Sequence, residues 1–262
     1  MDLALKDQVA LLTGASRGLG RAAAEAMAHE GAKVAVVSRT PDVVRAADEI
    51  HQATGAETLG IQADLTHPDD IGRLLEETLD RFGHVDILFF NIRGPKPGAF
   101  LELSAEDWEA GVDLVIMSAV RLLYAVIPHM IERGAGSIIA NESFTVKQPV
   151  DNLILSNALR LSVIGLVKSL STELGPKGIR INSINPSWTM TGRVVELLKD
   201  RARREGISVD EATRRITASS PLGRMGTVEE YGRMAAWLAS PAAAYLSGQA
   251  FFFDGGFVQA PL

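Results

Sequence analysis

The 262-residue sequence contains no cysteine, which excludes disulfides, zinc–thiolate sites and a thiol nucleophile together. It has only three tyrosines to supply phenolic acid–base groups. A basic excess is missing too: 26 Lys and Arg face 32 Asp and Glu, leaving a formal charge of −6. Nucleic-acid surfaces normally show concentrated positive charge, so no nucleic-acid partner is expected. No unbroken run reaches 18 apolar residues, and no membrane span is expected on that ground. The opening Met1-Asp2-Leu3-Ala4-Leu5-Lys6-Asp7 lacks the basic-then-apolar layout of a secretory signal, so the cytoplasm is the expected compartment. The histidines fall at expected helix ends or in loops, and no metal site is expected. With 47% hydrophobic and 22% charged residues, the composition is that of a globular chain able to bury a core.

Short β-branched runs alternate with longer helical patterns. Strands are expected over residues 9–13, 33–38, 59–63, 85–90, 137–140, 179–184 and 250–253. Helices are expected over 21–30, 41–52, 68–82 (with Thr66 as N-cap), 104–132 and 153–174. Ser104 followed by Asp107 has the spacing of a capping box. This alternation predicts a single-domain α/β chain over 1–262, a Rossmann-type doubly wound parallel sheet of seven strands. The one long irregular stretch, Pro186 to Met225, is read as a substrate lid over residues 187–225. In such folds ligands bind outside the carboxyl ends of the strands, which directs the search for a site.

The first strand runs into Thr13-Gly14-Ala15-Ser16-Arg17-Gly18-Leu19-Gly20. Glycines there let the backbone turn tightly and approach a pyrophosphate, which sits on the helix N-terminus. The second strand ends Ser38-Arg39-Thr40, without the acid that would bind a ribose 2′-hydroxyl. Arg39 and Arg17 suit a 2′-phosphate instead, through charge-assisted hydrogen bonds. NADP(H) is therefore the expected cofactor, ahead of NAD(H); two solvated surface arginines are the bland alternative.

The Thr13-Gly-x-x-x-Gly18-x-Gly20 spacing resembles that of the short-chain dehydrogenase/reductase family, and the likeness runs along nearly the whole chain. Within the family it is similar to 3-oxoacyl-(acyl carrier protein) reductase-like members. The resemblance implies that Asp64 and Leu65 contact adenine and that Asn91, in Phe90-Asn91-Ile92-Arg93, borders the cofactor. It makes Thr191, in Pro186-Ser187-Trp188-Thr189-Met190-Thr191, the partner of the nicotinamide amide. Ser247-Gly248-Gln249 and Asp254-Gly255-Gly256 match the family's C-terminal strand.

That family carries an Asn, Ser, Tyr, Lys set, with Tyr-x-x-x-Lys on the fifth long helix. Alignment on Gly165-Leu166 puts Ser156-Asn157-Ala158-Leu159-Arg160 there instead. Ser143 keeps the serine 13 positions before Ser156, and Val115 stands where the asparagine would be. The catalytic candidates are thus Ser143, Ser156 and Arg160. A serine lacks a phenol's accessible ionisation, and arginine stays protonated, so the pair makes a poor proton donor. Arg160 would hold ribose hydroxyls or a developing oxyanion, on the same helical face as Ser156. Tyr124, Tyr231 and Tyr245 are expected on peripheral helices or near the last strand. Glu142 and Lys147 flank Ser143 as alternative proton sources, ordinary loop charges being the competing reading. Arg93 adds a cation beside the nicotinamide pocket.

Two functions remain open at this level. One is an NADP(H)-dependent oxidoreductase with a rebuilt proton-transfer site, acting on a small carbonyl, enone or acyl-type compound. The other is a catalytically silent NADP(H)-binding protein, a sensor or an assembly partner. Seven basic against five acidic residues between Arg193 and Arg215 would guide an anionic substrate, unless they form a solvated helix pair. The family's assembly through its fourth and fifth long helices implies a homotetramer here.

Overall fold

The computed structural model describes residues 2–260. Seven parallel strands form one sheet in the order β3-β2-β1-β4-β5-β6-β7. In chain order the elements are β1 (Val9–Thr13), α1 (Gly18–His29), β2 (Lys33–Ser38), α2 (Asp42–Thr54), β3 (Thr58–Gln62), α3 (Pro68–Phe82) and β4 (Ile87–Asn91). Then come α4 (Ala105–Val112), α5 (Ser118–Arg133), β5 (Gly136–Asn141), α6 (Ile154–Leu174), β6 (Ile179–Pro186), α7 (Gly192–Glu205), α8 (Val209–Ala218), α9 (Val228–Ala239) and β7 (Ala250–Phe253). The α/β expectation of a seven-stranded parallel sheet holds.

Each inner strand is buried on both faces, and its side chains alternate between two cores. From β1, Val9 and Leu11 join Ile71, Leu122, Leu159 and Val163 on the face covered by α3, α5 and α6. Ala10 and Leu12 join Met27, Ile50, Tyr231 and Ala235 beneath α1, α2 and α9. This period-2 division explains the unbroken apolar strand sequences.

Several local expectations are corrected. Helix α3 is capped by backbone position His67 with Pro68 opening it; the Thr66 hydroxyl is spent on Asp64 at 2.8 Å. The helix expected from Ser104 does start with a Ser104–Asp107 capping box, but it is broken by a π-helical turn, Asp113–Met117, before α5. Val115 is buried in that turn. The stretch from Pro186 to Met225 is not irregular: it holds α7 and α8, packed on a small core of Val194, Leu198, Ala212, Ile216 and Met225.

Two helical stretches, Ala105–Arg133 and Ile154–Lys177, are long and apolar enough to cross a membrane by length and composition, with mean hydropathies of 1.9 and 1.3. This modifies the expectation drawn from unbroken apolar runs, because scattered polar residues do not remove the hydropathy of a window. Both stretches lie against the sheet, contributing Leu122, Val126, Leu159 and Val163 to its core.

Candidate active site

The strand order reverses between β1 and β4, so the loops after these two strands diverge and leave a crevice. Thr13 and Asn91 close its floor. Asn91 N donates to Thr13 Oγ1 at 3.0 Å, and Thr13 Oγ1 donates to Asn91 O at 3.1 Å. Asn91 Nδ2 donates to Gly14 O at 2.9 Å, tying the glycine turn to β4. Gly14 has φ +56°, and a β-carbon there would lie 2.5 Å from Asn91 O. A β-carbon at Gly20 would overlap Gly14 O and sit 2.9 Å from Asn91 Nδ2. Gly14 is required by space as well as by conformation, and Gly20 by space. Gly18 also has positive φ, but its side-chain direction is open apart from Thr191 Cγ2 at 3.7 Å.

The turn fits a dinucleotide. Arg17, at the N-cap of α1, places no side chain on the first helical N–H groups, which stay available to an anion. Gly14, Ser16, Arg17, Ser38, Arg39, Asp64, Leu65 and Asn91 all line one cleft of about 900 Å³. Ser16 Oγ donates to Ser38 Oγ at 3.2 Å, and the Arg39 guanidinium stands 4.0 Å from Asp64. Burial works against the Asp64 carboxylate, but hydrogen bonds from Thr66 and the charge of Arg39 outweigh it and hold the group below its ordinary range. Arg17 and Arg39 remain exposed at the rim.

A second cleft of about 1060 Å³ adjoins the first through Asn91, Ile92 and Arg93. Gly18, Leu19, Ser143, Ser156, Arg160 and Thr191 line it. Every predicted site residue except Gly20, which supports the turn from beneath, therefore lines one or other of two contiguous clefts. Ser143 Oγ accepts from Thr145 N at 3.2 Å, and Thr145 Oγ1 and Ser156 Oγ lie 3.3 Å apart. Thr191 Oγ1 accepts from Val194 N at 3.3 Å and so begins α7 at the cleft wall.

Arg160 is not a free cation. Its Nη1 donates to Glu142 Oε2 at 3.0 Å and to Asn141 O at 3.5 Å, and Nη2 donates to Ile92 O at 3.3 Å. Arg160 and Glu142 side chains are 7% and 2% exposed, which makes this a buried ion pair rather than a surface one. The guanidinium is thus engaged within the protein, where the expectation was a group directed at the cofactor sugar. Glu142 is likewise no loop charge: burial raises its carboxyl to about 7, against the opposing charge and hydrogen bond of Arg160.

Tyr231 is also misplaced by the sequence reading. It lies on α9 but is fully buried, and its hydroxyl donates to Asn141 Oδ1 at 2.6 Å directly beneath the site. Asn141 Nδ2 in turn donates to Asn91 Oδ1 at 2.7 Å. Burial first, and the Glu142 carboxylate second, push the Tyr231 phenol well above its ordinary value. Tyr124 and Tyr245 are exposed, as expected of peripheral positions. Asn141 was not foreseen. The signal that existed was the polar triplet Asn141-Glu142-Ser143 immediately after an apolar strand in the middle of the sheet.

The basic residues of the 193–215 region are mostly consumed locally. Arg201 pairs with Glu205, Arg203 and Arg204 with Asp200, and Arg214 and Arg215 with Glu211. The helix-pair reading accounts for them. Arg93 and Arg193 are the exposed cations that line the second cleft.

The chain matches the enoyl-(acyl carrier protein) reductase family over residues 14–258. It is 34% identical over 260 residues to a 3-oxoacyl-(acyl carrier protein) reductase of Synechocystis sp., covering 97% of this chain and 98% of the other. An Escherichia coli 3-oxoacyl-(acyl carrier protein) reductase is 32% identical, with 95% and 96% covered. Among solved structures, L-sorbose reductase from Gluconobacter frateurii, complexed with NADPH and L-sorbose, has a TM-score of 0.94 at 30% identity, covering 99% and 100% of the two chains. Actinorhodin polyketide ketoreductase with NADPH has a TM-score of 0.92 at 32% identity, covering 97% and 98%.

Proposed function

The chain belongs to the short-chain dehydrogenase/reductase family of oxidoreductases, and on that premise we propose an NADP(H)-dependent oxidoreductase whose proton-transfer site has been rebuilt. The substrate class is a small carbonyl, enone or acyl-type compound. The observation that carries the reading is the pair of contiguous clefts joined at Asn91, with a glycine turn on one side and Ser143, Ser156 and Glu142 on the other. Relatives that reduce carbonyl compounds with NADPH support it.

The residues divide into two tasks. Gly14, Gly18 and Gly20 would admit the pyrophosphate to the N-terminus of α1, with Asp64 and Leu65 at the adenine. Arg17 and Arg39 would hold the 2′-phosphate by charge-assisted bonds, and β2 offers no acid to repel it. Thr191 would meet the nicotinamide amide. When bound, the reduced nicotinamide supplies a hydride. Ser143 and Ser156 are then the hydroxyls that would hold the substrate oxygen, and Arg160 lends positive potential from within the protein. Residues 187–225, built on α7 and α8, serve as the lid, with Trp188 and Leu197 closing the apolar side of the second cleft.

A second reading, nucleotide binding without turnover, draws on the full engagement of Arg160 with Glu142, Asn141 O and Ile92 O. Titration with NADPH, followed by turnover assays on ketones, enones and alcohols, separates the two. Binding with turnover supports the enzyme; binding without turnover across the panel supports the silent protein; absence of binding overturns both. We place the protein in the cytoplasm. We also propose a homotetramer, because the outward faces of α4 to α6 leave Val112, Met117, Tyr124 and Leu161 exposed.

A further inference from the structure

We propose that Glu142 is the residue that exchanges a proton with the substrate oxygen, with Arg160 as its positioning partner, an inference that rests on the oxidoreductase reading above. The charged side chains lining the second cleft are Arg93, Glu142, Arg160 and Arg193. Arginine does not release a proton in the working range, and the serine and threonine hydroxyls beside them do not ionise there. Glu142 is the sole proton-labile side chain on that wall among the described residues. Tyr231, the one nearby phenol, is sealed beneath the floor and directs its hydroxyl at Asn141.

Position and rigidity favour the same residue. Glu142 directly follows β5, its backbone N donating to Ile184 O at 2.9 Å, so it is anchored to β6. Its neighbour is Ser143, the hydroxyl proposed to hold the substrate oxygen. Arg160 is pinned by two carbonyl groups as well as by Glu142, and so holds the carboxyl in one orientation. It engages Oε2 alone; Oε1 has no hydrogen-bond partner among the described residues. Burial disfavours the free carboxylate and raises the group to about 7, so the protonated acid and the Arg160-paired carboxylate are both populated near neutral pH.

The carbonyl carbon gains a hydride drawn from the reduced dinucleotide, which is thereby oxidised by two electrons. The carbonyl π pair moves to oxygen, which takes the Glu142 proton and becomes a hydroxyl. The resulting carboxylate is received by Arg160 as a full ion pair, so the charge created by proton loss is neutralised at 3.0 Å. Water restores the proton after the product leaves. The charged and titratable groups that face Glu142 are Arg160 from α6 and Tyr231 from α9, with Arg93 and Arg193 across the cleft.

The test begins with ligand-free protein carrying 13C-carboxyl glutamate, with the Glu142 signal assigned by its loss in Glu142→Gln. The expected midpoint lies near neutrality; a midpoint below about pH 5 overturns the proposal. In kinetics, reduction should slow above neutral pH and the reverse oxidation should quicken. Glu142→Gln should lower kcat about 10²–10⁴-fold and flatten that limb, with NADPH affinity held within about threefold. An unchanged pH profile in the variant overturns this proposal while leaving the oxidoreductase reading intact. NADPH binding without wild-type turnover ends both. Should Glu142→Gln not fold, Glu142→Asp serves for assignment and kinetics: it keeps an acid but withdraws it, so kcat should fall while an acid limb persists.

Discussion

The Tyr231 hydroxyl lies 2.6 Å from Asn141 Oδ1, although ninety positions separate them in the chain. The bond begins a relay. Asn141 Nδ2 donates to Asn91 Oδ1, and Asn91 Nδ2 donates to Gly14 O. A helix on the last third of the chain thereby braces the glycine turn at its start. Tyr231 and Asn141 are buried and Asn91 is half-buried, so losing the Tyr231 donor leaves a partner without water to replace it.

Tyr231→Phe removes that donor and leaves Asn141 Oδ1 unpaired. Stability should fall by about 1–3 kcal/mol, read as a lower urea midpoint with an unchanged slope. The pH dependence of turnover should not move, since the phenol has no share in the proton step.

Gly20→Ala forces a methyl group against Gly14 O and Asn91 Nδ2. The glycine turn must shift, so NADPH affinity should drop at least tenfold, measured by nucleotide fluorescence. Gly72→Ala, on α3 where a β-carbon meets open space, is the matched control and should leave affinity unchanged.

Arg39→Ala should weaken NADPH about 10- to 100-fold, the equivalent of one lost charge-assisted contact, while NADH binding changes little. Equal losses for both nucleotides would count against a 2′-phosphate site at the end of β2.

Glu142 makes stability depend on pH. Its folded value, about 7, lies above the ordinary 4.5, so the folded state holds the proton more tightly than the unfolded one. Its contribution is fully present below pH 4.5 and declines as pH rises to about 7, by about 3 kcal/mol. Glu142→Gln should lack the decline in denaturant titrations across that window. Glu230 acts oppositely: hydrogen bonding to Arg224 lowers it to about 2, so its contribution is lost as pH falls from 4.5 towards 2.

Leu161→Arg, on the outward face of α6, should break the proposed tetramer into smaller species by light scattering. The leucine is half exposed in the single chain, so the fold itself should survive.

The parallel sheet was legible because β1, β2, β4 and β5 are apolar on both faces, a pattern imposed by helices covering each side. The glycine turn was legible for a related reason: Gly14 and Gly18 take positive φ and Gly20 packs on Gly14 O, demands that arise within a few residues of one another. Residues 187–225 were harder, because two short polar helices bury only a few side chains each. The same sparse apolar spacing reads as loop.

Sequence alone determined the strand–helix alternation, the glycine turn and the lack of an acid at the tip of β2, since these rest on residues a few positions apart. Only tertiary structure decided the state of Arg160, Glu142 and Tyr231. Whether a guanidinium is free or paired, and whether a carboxyl keeps its proton, depends on burial and on partners 18 to 90 positions away. No local pattern encodes desolvation; packing three strands and two helices around one carboxyl does.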